Sequence, residues 1–452
     1  MLSMTPAFWY SPTRFSKKFV LPSSEMCSMK SNGFSEPYTW WWRENMSTVH
    51  IIPSAAMSDK KCVFVTGGAG YIGSHCCVEL LNAGYDVIAI DNFANSRHTD
   101  SGEAPSLKRV EEITGKKLTF YQCDLLDINR VDEIFSKHHI DYVIHFAAIK
   151  AVGESMQFPL KYYKNNVIGT INLVEVMKEH NVYQMVFSSS CCVYGDPEHL
   201  PITEDHPTGN VTNVYGRTKY LIEEMLKDLT HAEPRWNIIS LRYFNPVGAH
   251  PSGRIGEDPT KNFSNLMPYI AQVALGNKPH VEVFGGDYNT PDGTGVRDYI
   301  HIMDLASGHV AALSRLSQEH FRYKPLNLGL GRGLSVLELL AHWERVTGTR
   351  VPHRMAARRY GDVPTLVCDG SRGQRELSWT PRYDIDDMCR DMWRWQTQNP
   401  RGYQDDCDSP ATNGALPASK LANGAGLTNG ATNGATNGVS TANGVSNGAN
   451  GH

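Results

Sequence analysis

The feature that constrains this chain most is a glycine-rich loop between a short apolar run and a helical segment. The apolar run covers residues 62–66, the loop TGGAGYIG covers residues 66–73, and a helical pattern follows at 74–83. Gly68, Gly70 and Gly73 satisfy the spacing G-x-G-x-x-G, in which the glycines allow a tight turn, close approach of a pyrophosphate and close helix–strand packing. The start of the helix adds free N–H groups and the positive end of a dipole. This order of elements predicts a dinucleotide-binding site.

Apolar runs alternate with helical segments along the first half of the chain. The later runs lie at 86–90, 117–122, 141–146, 183–188 and 237–243, with helical segments such as 130–138 and 167–180 between them. This alternation predicts an α/β fold with a Rossmann-like, doubly wound parallel sheet that is covered by helices on both faces. After residue 245 the pattern becomes irregular and loop-rich. We therefore expect a nucleotide-binding domain over 58–245 and a smaller C-terminal α/β domain over 246–401.

The two ends of the chain differ from the middle in composition. Residues 1–57 show no sustained helical or strand period, and residues 402–452 repeat Asn-Gly between Ala, Thr, Ser and Val. Neither segment has a pattern that can pack, so we expect a disordered N-terminal extension and a disordered tail rich in Asn, Gly, Ala and Thr. A targeting role for residues 1–57 and a start of translation at Met57 stay open as alternatives.

Composition excludes several classes of function. The balance of 43 Lys and Arg against 47 Asp and Glu, a net charge of -4, argues against a general nucleic-acid-binding protein. No apolar stretch is long enough to span a membrane. The ten cysteines contain no C-x-x-C motif, so we expect no metal site and reduced thiols, as in a cytoplasmic protein.

Two aspartates follow predicted strands near the glycine loop. Asp91 ends the second run, 18 residues after Gly73, where a carboxylate accepts hydrogen bonds from the adenosine ribose and repels a 2′-phosphate. This position favours NAD over NADP. Asp124 follows the third run, where a contact with adenine and a plain helix cap are equally good interpretations.

A second chemical pattern is the pair Tyr215 and Lys219, which lie at i and i+4 and share one face of a helix. A phenol with its ordinary pKa near 10 is a poor base at pH 7, but a neighbouring ammonium and a nicotinamide cation both favour the phenolate. Ser190 ends a serine run after the fifth strand, where its hydroxyl can orient the reacting oxygen. Together these residues predict a general base for an alcohol or sugar hydroxyl, with Ser190 beside it.

With these three patterns the chain resembles the extended short-chain dehydrogenase/reductases. Further stretches resemble the UDP-glucose 4-epimerases within that group, and the likeness extends from about residue 60 to residue 404. These stretches are residues 145–155 (HFAAIKAVGES), 241–246 (LRYFNP), 265–269 (NLMPY) and 292–301 (DGTGVRDYIH).

The resemblance implies an NAD-dependent isomerase that interconverts UDP-galactose and UDP-glucose through a 4-keto intermediate, in galactose metabolism and as a homodimer. It implies that the segment 246–401 binds the UDP-sugar. The catalytic residues would be Tyr215, Lys219 and Ser190. Tyr215 and Lys219 are also implied to hold NAD. The other residues implied to hold NAD are Gly67, Gly68, Gly70, Tyr71, Ile72, Gly73, Asp91, Asn92, Phe93, Asn95, Ser96, Asp124, Leu125, Phe146, Ala147, Ala148, Lys150, Asn165, Tyr243 and Phe244. The residues implied to hold the UDP-sugar are Lys150, Ser190, Tyr215, Asn245, Asn265, Leu266, Val283, Phe284, Arg297, Arg359, Asp362 and Leu366.

The chain departs from the family pattern at Cys191 and Cys192, where Ala and Thr are usual, so a thiol replaces a hydroxyl near the sugar. We expect Cys192 to change the rate without abolishing activity. The resemblance puts Leu366 beside the C2 substituent of the sugar, which predicts a preference for UDP-galactose and UDP-glucose over their N-acetylated forms. A leucine that only packs in the core is the alternative.

Two other functions remain as alternatives. Another NAD-dependent UDP-sugar epimerase or a sugar-nucleotide dehydratase would share the fold, but dehydratases of this group carry Asp-Glu where Cys191 and Cys192 stand. A non-catalytic NAD-sensing regulator would be favoured by the loss of Tyr215 or Lys219, and both are present.

Overall fold

The fold is described by a computed structural model for residues 60–259, 265–359 and 361–408. Its strands, in chain order, are β1 Cys62–Thr66, β2 Asp86–Asp91, β3 Thr119–Gln122, β4 Tyr142–His145, β5 Gln184–Ser190, β6 Asn237–Tyr243, β7 Asn245–Val247, β8 Val281–Phe284, β9 Val296–His301, β10 Tyr323–Leu328, β11 Gly333–Ser335, β12 His353–Ala356 and β13 Thr365–Leu366.

The helices alternate with these strands in the first half of the chain. In chain order they are α1 Tyr71–Asn82, α2 Pro105–Thr114, α3 Ile128–Lys137, α4 Val152–Gln157, α5 Pro159–Tyr162, α6 Gly169–Glu179, α7 Val214–Ala232, α8 Leu266–Ala274, α9 Ile302–Gln318, α10 Val336–Thr347, α11 Ser371–Leu377, α12 Ile385–Gln398 and α13 Gln404–Asp408. A π-helical turn at Tyr163–Ile168 leads into α6, and a 3₁₀ turn at Cys191–Tyr194 follows β5. No helix within the described ranges is both long and apolar enough to cross a membrane.

Seven strands form one sheet in the order β10-β6-β5-β4-β1-β2-β3, and each neighbouring pair is parallel. On one face, α3, α6 and α7 bury apolar side chains such as Ile134, Leu173 and Leu226. On the other face, α1, α2 and α9 bury side chains such as Leu80 and Leu313. The predicted fold class, a Rossmann-like doubly wound parallel sheet, is confirmed.

The strand order reverses between β1 and β4, which are neighbours in the sheet although β2 and β3 lie between them in the chain. At such a reversal the loops after the two strands diverge and leave a crevice at the carboxyl edge of the sheet. The functional residues of the fold are therefore expected at the ends of β1, β2, β4 and β5.

The last strand of the large sheet comes from beyond residue 245. Strand β10 pairs with β6, and Leu326 lies opposite Leu241. The division of the chain at 245/246 therefore does not follow the sheet. The sequence does not reveal this pairing, because a strand partner about 85 residues away leaves no local signal. The rest of the second half builds a small sheet, in which β11, β13 and β7 all pair with β9, and the parallel pair β8–β12.

The predicted tail begins too early in the sequence analysis. Residues 402–408 are structured: Tyr403 is buried, its N–H donates to Asp258 at 2.8 Å, and α13 follows. The prediction is wrong for residues 402–408 because the Asn-Gly repeat dominates the composition of the segment and Tyr403 has no local signal of its own. The N-terminal extension 1–57 and the rest of the tail lie outside the described residues.

Candidate active site

A cleft that is open to solvent lies at the carboxyl edge of the sheet where the strand order reverses. The glycine loop after β1 forms its floor, and the first turn of α1 points its N–H groups into it. The loops after β2, β3 and β4 form its walls. A helix N-terminus at the floor of a polar cleft is a site for a phosphate group.

Two glycines of the loop are required by close backbone contacts. Gly67 has φ +70°, in the left-handed region, and a Cβ there would lie 2.9 Å from the Ala147 nitrogen. A Cβ on Gly73 would lie 2.2 Å from the carbonyl oxygen of Gly67, which is a clash. The loop therefore keeps its shape, and the open floor of the cleft, only with glycine at these positions.

Asp91 closes the cleft at the end of β2. One carboxylate oxygen accepts from the Phe93 N–H at 2.9 Å and the Ser96 hydroxyl at 2.8 Å, and the other accepts from the Ala69 N–H at 3.1 Å. Burial raises the pKa of Asp91, and the hydrogen bonds from Ser96 and the backbone oppose that rise. The carboxylate thus joins the loop after β2 to the glycine loop and remains at the edge of the cleft.

Most of the residues predicted to hold the cofactor line this single cleft. They are Gly67, Gly70, Tyr71, Ile72, Gly73, Asp91, Asn92, Asn95, Ser96, Asp124, Leu125, Phe146, Ala147, Ala148, Lys150 and Asn165. The glycine cradle, the helix N-terminus and the carboxylate on β2 fit the pyrophosphate and ribose of a dinucleotide.

The remaining predicted cofactor residues lie behind the wall of the cleft or beside it. Gly68 packs under the loop against Ala89, and Phe93 is buried against Phe120. Tyr243 is buried in β6, where its hydroxyl meets His309, and Phe244 is buried in a core cluster with Tyr194. Tyr215 and Lys219 are not among the residues that line the cleft, but Lys219 contacts the carbonyl oxygen of Ser188, which is one of them.

Tyr215 and Lys219 are positioned by the start of α7. Asn213 caps this helix, because its side chain accepts from the Gly216 N–H at 2.8 Å. The Tyr215 N–H donates to the Ser155 hydroxyl at 3.2 Å. The Lys219 ammonium donates to the carbonyl oxygen of Ser188 at 2.5 Å. The helix therefore presents both side chains to the carboxyl end of β5, where Ser190 lies.

The electrostatics of the pair show what the site needs from a ligand. Burial raises the pKa of the Tyr215 phenol, the nearby Cys192 raises it further, and a hydrogen bond with Ser190 opposes the rise. Burial also lowers the pKa of Lys219 to about 7, and Glu223 opposes that shift. Tyr215 is therefore a neutral phenol in the unliganded site, and a positive charge beside it is needed to favour the phenolate.

The two cysteines form the turn that follows Ser190. The Cys192 N–H donates to the Ser190 hydroxyl at 3.2 Å. Cys192 therefore orients Ser190 through its backbone and not through its thiol. Interaction with Cys191 and the charge of Arg297 lower the pKa of the Cys192 thiol, whereas the pKa of Cys191 is raised. The replacement of a hydroxyl by a thiol therefore leaves the serine in position.

A second group of predicted residues lies on the small sheet, on strand β8 and in the loop after β12. Leu366 of β13 is opposite Arg297 of β9, and Leu366 packs beside the core cluster that contains Phe244. The Arg359 guanidinium lies 4.8 Å from the centre of the exposed Phe284 ring. Cationic and aromatic side chains in this arrangement can contact a phosphate and a planar base.

The other members of this group have different surroundings. Arg359 also pairs with Asp362, with 2.9 Å between Nε and Oδ2. Val283 is fully buried in β8, so only its backbone can face a ligand. Asn245 is half-buried at the start of β7, and Leu266 begins α8 directly after Asn265.

Several residues that line the cleft escaped the sequence analysis. Glu257, Asp258 and Tyr403 form one wall, and Arg97 pairs with Asp258 at 3.3 Å. The sequence GEDP over residues 256–259 lies in the irregular half of the chain and has no recognisable motif of its own. Tyr403 was assigned to the tail. These residues meet at the cleft only in the folded chain, and no local sequence pattern indicates it.

Comparison with known proteins places these features in one family. The chain matches the family described as "NAD dependent epimerase/dehydratase family" over residues 63–329. It is 54% identical to a UDP-glucose 4-epimerase of Drosophila melanogaster over 342 residues, which cover 75% of this chain and 98% of that protein. It is also 54% identical to a UDP-glucose 4-epimerase of Bacillus subtilis over 342 residues, with 76% and 98% coverage.

The fold is similar to that of a solved UDP-glucose 4-epimerase from Bifidobacterium longum, crystallised in complex with NAD+ and UDP. The TM-score is 0.72 at 48% sequence identity, and the match covers 76% of this chain and all of the other. The matched region leaves out about a quarter of the chain, in keeping with the two ends of unusual composition.

Proposed function

The chain belongs to the NAD dependent epimerase/dehydratase family, and we propose that it is an isomerase that interconverts UDP-galactose and UDP-glucose, the activity of its most similar relatives. The observation that carries this proposal is the contact between the dinucleotide cleft and the Tyr215–Lys219 pair at the end of β5. Ser188 lines the cleft and its carbonyl oxygen accepts from Lys219, and the charge of Arg297 acts on Cys192 in the turn after Ser190.

The cleft fits NAD as a tightly held cofactor. The N-terminal turn of α1 would hold the pyrophosphate, and Asp91 and the loop after β2 would hold the adenosine ribose. A carboxylate at this position disfavours the 2′-phosphate of NADP. When bound, NAD supplies the acceptor that takes a hydride from C4 of the sugar and returns it to the opposite face.

Tyr215 supplies the acid–base chemistry. As a phenolate it removes the proton of the 4-hydroxyl, and as a phenol it gives the proton back after the 4-keto sugar has turned over. The Ser190 hydroxyl, whose interaction with Tyr215 opposes the rise in the pKa of the phenol, would orient the oxygen that loses the proton. A charged Lys219, held on the Ser188 carbonyl, stabilises the phenolate and can bind the nicotinamide ribose.

The second half of the chain anchors the substrate while the sugar turns. Arg297 and Arg359 present guanidinium groups that suit a diphosphate, and Phe284 beside Arg359 offers a surface for the uracil ring. Asn245, Asn265, Leu266, Val283, Asp362 and Leu366 complete the proposed sugar-nucleotide site. Since the arginines and Phe284 would hold the nucleotide and not the hexose, the hexose is free to present either face to Tyr215.

The alternatives are less well supported. A dehydratase needs an acid–base pair beside the sugar, and the turn after Ser190 carries Cys191 and Cys192 instead. A regulator that only senses NAD has no need for a buried lysine beside the end of β5, and burying Lys219 is costly.

We also propose that two copies of the chain form a homodimer. Large apolar side chains are exposed on neighbouring elements, namely α4, α5, the π-helical turn, α6 and α7, and an exposed apolar surface of this kind favours association. They are Val152, Met156, Phe158, Leu160, Ile168, Ile171 and Leu221. The reduced state of the described cysteines is in keeping with a cytoplasmic enzyme, and its substrates with galactose metabolism.

The proposal is tested by incubating the purified protein with UDP-galactose and no added NAD, followed by chromatography of the nucleotide sugars. We expect UDP-glucose to accumulate to a fixed equilibrium ratio, because the cofactor is regenerated in each cycle. Conversion that appears only with stoichiometric NAD, or an absence of UDP-glucose, would contradict the proposal.

A further inference from the structure

Glu257 contacts both of the binding sites described above. Its side-chain oxygen Oε1 accepts from the Lys150 ammonium at 3.0 Å and from the Asn265 amide at 2.8 Å. Lys150 lines the cofactor cleft, and Asn265 lies in the proposed sugar-nucleotide site. A single oxygen atom thus joins a residue from the loop after β4 to the residue that precedes α8.

The surroundings of Glu257 fix its position. Its side chain is about nine-tenths buried, and its carbonyl oxygen accepts from the Trp395 indole at 3.4 Å. Tyr403 holds both neighbours, because its hydroxyl accepts from the Gly256 N–H at 3.2 Å and its own N–H donates to Asp258 at 2.8 Å. The backbone is therefore held on both sides of Glu257, and its carboxylate is shared between the two side chains that it contacts.

The two partners of Glu257 depend on it for their orientation. Asn265 is the residue that caps α8, yet its side chain makes no hydrogen bond to that helix and turns to Glu257 instead. The side chain of Lys150 is 37% exposed, and its other neighbour is the face of the Tyr71 ring, 5.9 Å away. An ammonium held at the mouth of the cleft by one carboxylate is a poor structural ion pair and a good donor for a phosphate.

We propose that Glu257 is a positioning residue that couples the two sites, orienting Lys150 toward the cofactor and Asn265 toward the sugar nucleotide. Binding of the nucleotide at Asn265 stabilises the position of Glu257 and hence of Lys150, so UDP and the cofactor strengthen each other's binding. This reciprocity is a thermodynamic requirement of any such coupling. The proposal rests on the proposed function, because it assumes that Asn265 contacts UDP.

The test compares Glu257→Ala, Asn265→Ala and the double variant, as holoenzymes, by calorimetric titration with UDP. Each single variant is expected to raise the Kd for UDP by about 10-fold, the effect of losing one charge-assisted hydrogen bond. The Kd of the double variant for UDP is expected to exceed that of the weaker-binding single variant by no more than about threefold, because the effects of two substitutions in one network are not additive. Additive losses, or an unchanged Kd in Glu257→Ala, would overturn the role of Glu257.

A second readout follows the cofactor itself. Saturating UDP is expected to slow the release of NAD from the wild type by about 10-fold, and to have less than about a threefold effect in Glu257→Ala and in Glu257→Gln. Glu257→Gln keeps the side-chain shape and an acceptor for Asn265 but loses the charge that holds Lys150. It therefore tests the effect of Lys150 on NAD release even where Glu257→Ala fails to fold. Equal slowing by UDP in wild type and Glu257→Gln would overturn the coupling.

Glu103→Gln is the matched control, because it removes one negative charge from an exposed position and should leave both readouts unchanged. Failure of the coupling is distinguishable from failure of the proposed function. A wild-type protein that does not bind UDP at all would contradict the proposed function. One that binds UDP and converts UDP-galactose, but shows additive variants, would contradict only the role of Glu257.

Discussion

The Lys219 ammonium donates a hydrogen bond of 2.5 Å to the backbone carbonyl of Ser188. It also lies 4.8 Å from the centre of the Phe187 ring. Lys219 is the only buried lysine among the described residues. These contacts hold its ammonium at the end of β5, beside Ser188, which precedes Ser190 by two residues. The proton chemistry proposed for Tyr215 depends on this placement, because the ammonium is held within the same site by the backbone and needs no carboxylate beside the phenol.

Replacement of Tyr215 by phenylalanine is expected to lower turnover of UDP-galactose by at least about 100-fold, because loss of a general base costs 10²–10⁴ in rate. Affinity for UDP should change by less than about threefold, since the proposed diphosphate contacts lie elsewhere. Steady-state kinetics and UDP titration check both statements. Tyr220→Phe, on the same helix, is the matched control and should keep full turnover; a Tyr215→Phe enzyme within threefold of wild type would remove Tyr215 from the mechanism.

Leu366 is expected to restrict the substrate at C2 of the sugar. It has no polar group for an acetamide, and burying that amide without a hydrogen bond costs about 1–3 kcal/mol. The wild type should therefore prefer UDP-galactose over UDP-N-acetylgalactosamine, and Leu366→Cys should improve kcat/KM for the acetylated sugar. Equal efficiency on both sugars in the wild type, or no gain in the variant, would show that Leu366 only packs against the core.

The ion pair between Arg242 and Glu223 ties the catalytic helix α7 to β6. Both side chains are fully buried, with 2.6 Å between Nη2 and Oε2, and Glu223 also accepts from Ser189 at 2.5 Å. Arg242→Met leaves a buried carboxylate without its partner and should lower the free energy of unfolding by about 3–5 kcal/mol. Urea denaturation measures this, and the double variant with Glu223→Leu should recover most of the loss; a double variant as unstable as the single one would contradict the pairing argument.

Acid sensitivity is expected from histidines that are buried in the neutral form. His145 lies between the hydroxyls of Thr66 and Thr170, and burial, with a smaller effect from the charge of Lys219, lowers its pKa to about 3. An unfolded histidine takes up a proton below about pH 6.5, so this group stabilises the fold fully above that pH and loses its contribution as the pH falls toward 3.

The variant His145→Gln isolates this effect. Between pH 6 and 4 the free energy of unfolding should fall with pH in both proteins. The slope of the variant should be smaller than that of the wild type by about 1.4 kcal/mol per pH unit, since one proton fewer is taken up on unfolding. Urea denaturation at several pH values gives both slopes. Identical slopes in the two proteins would show that His145 is protonated in the fold.

The contacts of residues 399–408 are expected to stabilise the fold and the wall of the cleft. Arg109 pairs with Asp406 at 2.7 Å and contacts Asn399, while Tyr403 packs on Trp395 in the wall of the cleft. A chain that ends at residue 408 should keep the Tm and the bound cofactor of the full chain. One that ends at residue 398 should lose several degrees in Tm and part of its NAD, and full retention of both would contradict the anchoring role of Tyr403.

The sequence predicts the elements whose signals are local. Strand β6 has the predicted bounds, 237–243, because a continuous apolar run lies there between breaks in the pattern. The glycine loop and the Tyr215–Lys219 pair can be recognised for the same reason, since each motif lies within a short stretch of sequence, 66–73 and 215–219. Their roles in the site, like those of the other predicted contact residues, stay predictions.

The features that sequence reasoning missed depend on distant partners. Strand β10 joins the large sheet only through β6, and Glu257 becomes notable only when Lys150 and Asn265 are seen on one of its oxygens. Tyr403 gains its place from Asp258, 145 residues earlier. No local period or composition carries such information, because the same residues elsewhere in the chain would form an ordinary loop.

The central claim is that C4 of the sugar is inverted by removal and return of the same hydride. It is tested most directly with UDP-galactose that carries deuterium at C4, incubated with the protein in ordinary water, followed by mass spectrometry and NMR of the UDP-glucose formed. The account predicts that the product retains the deuterium at C4, because the hydride never leaves the site. Loss of the label to water, or product without inversion at C4, would contradict it.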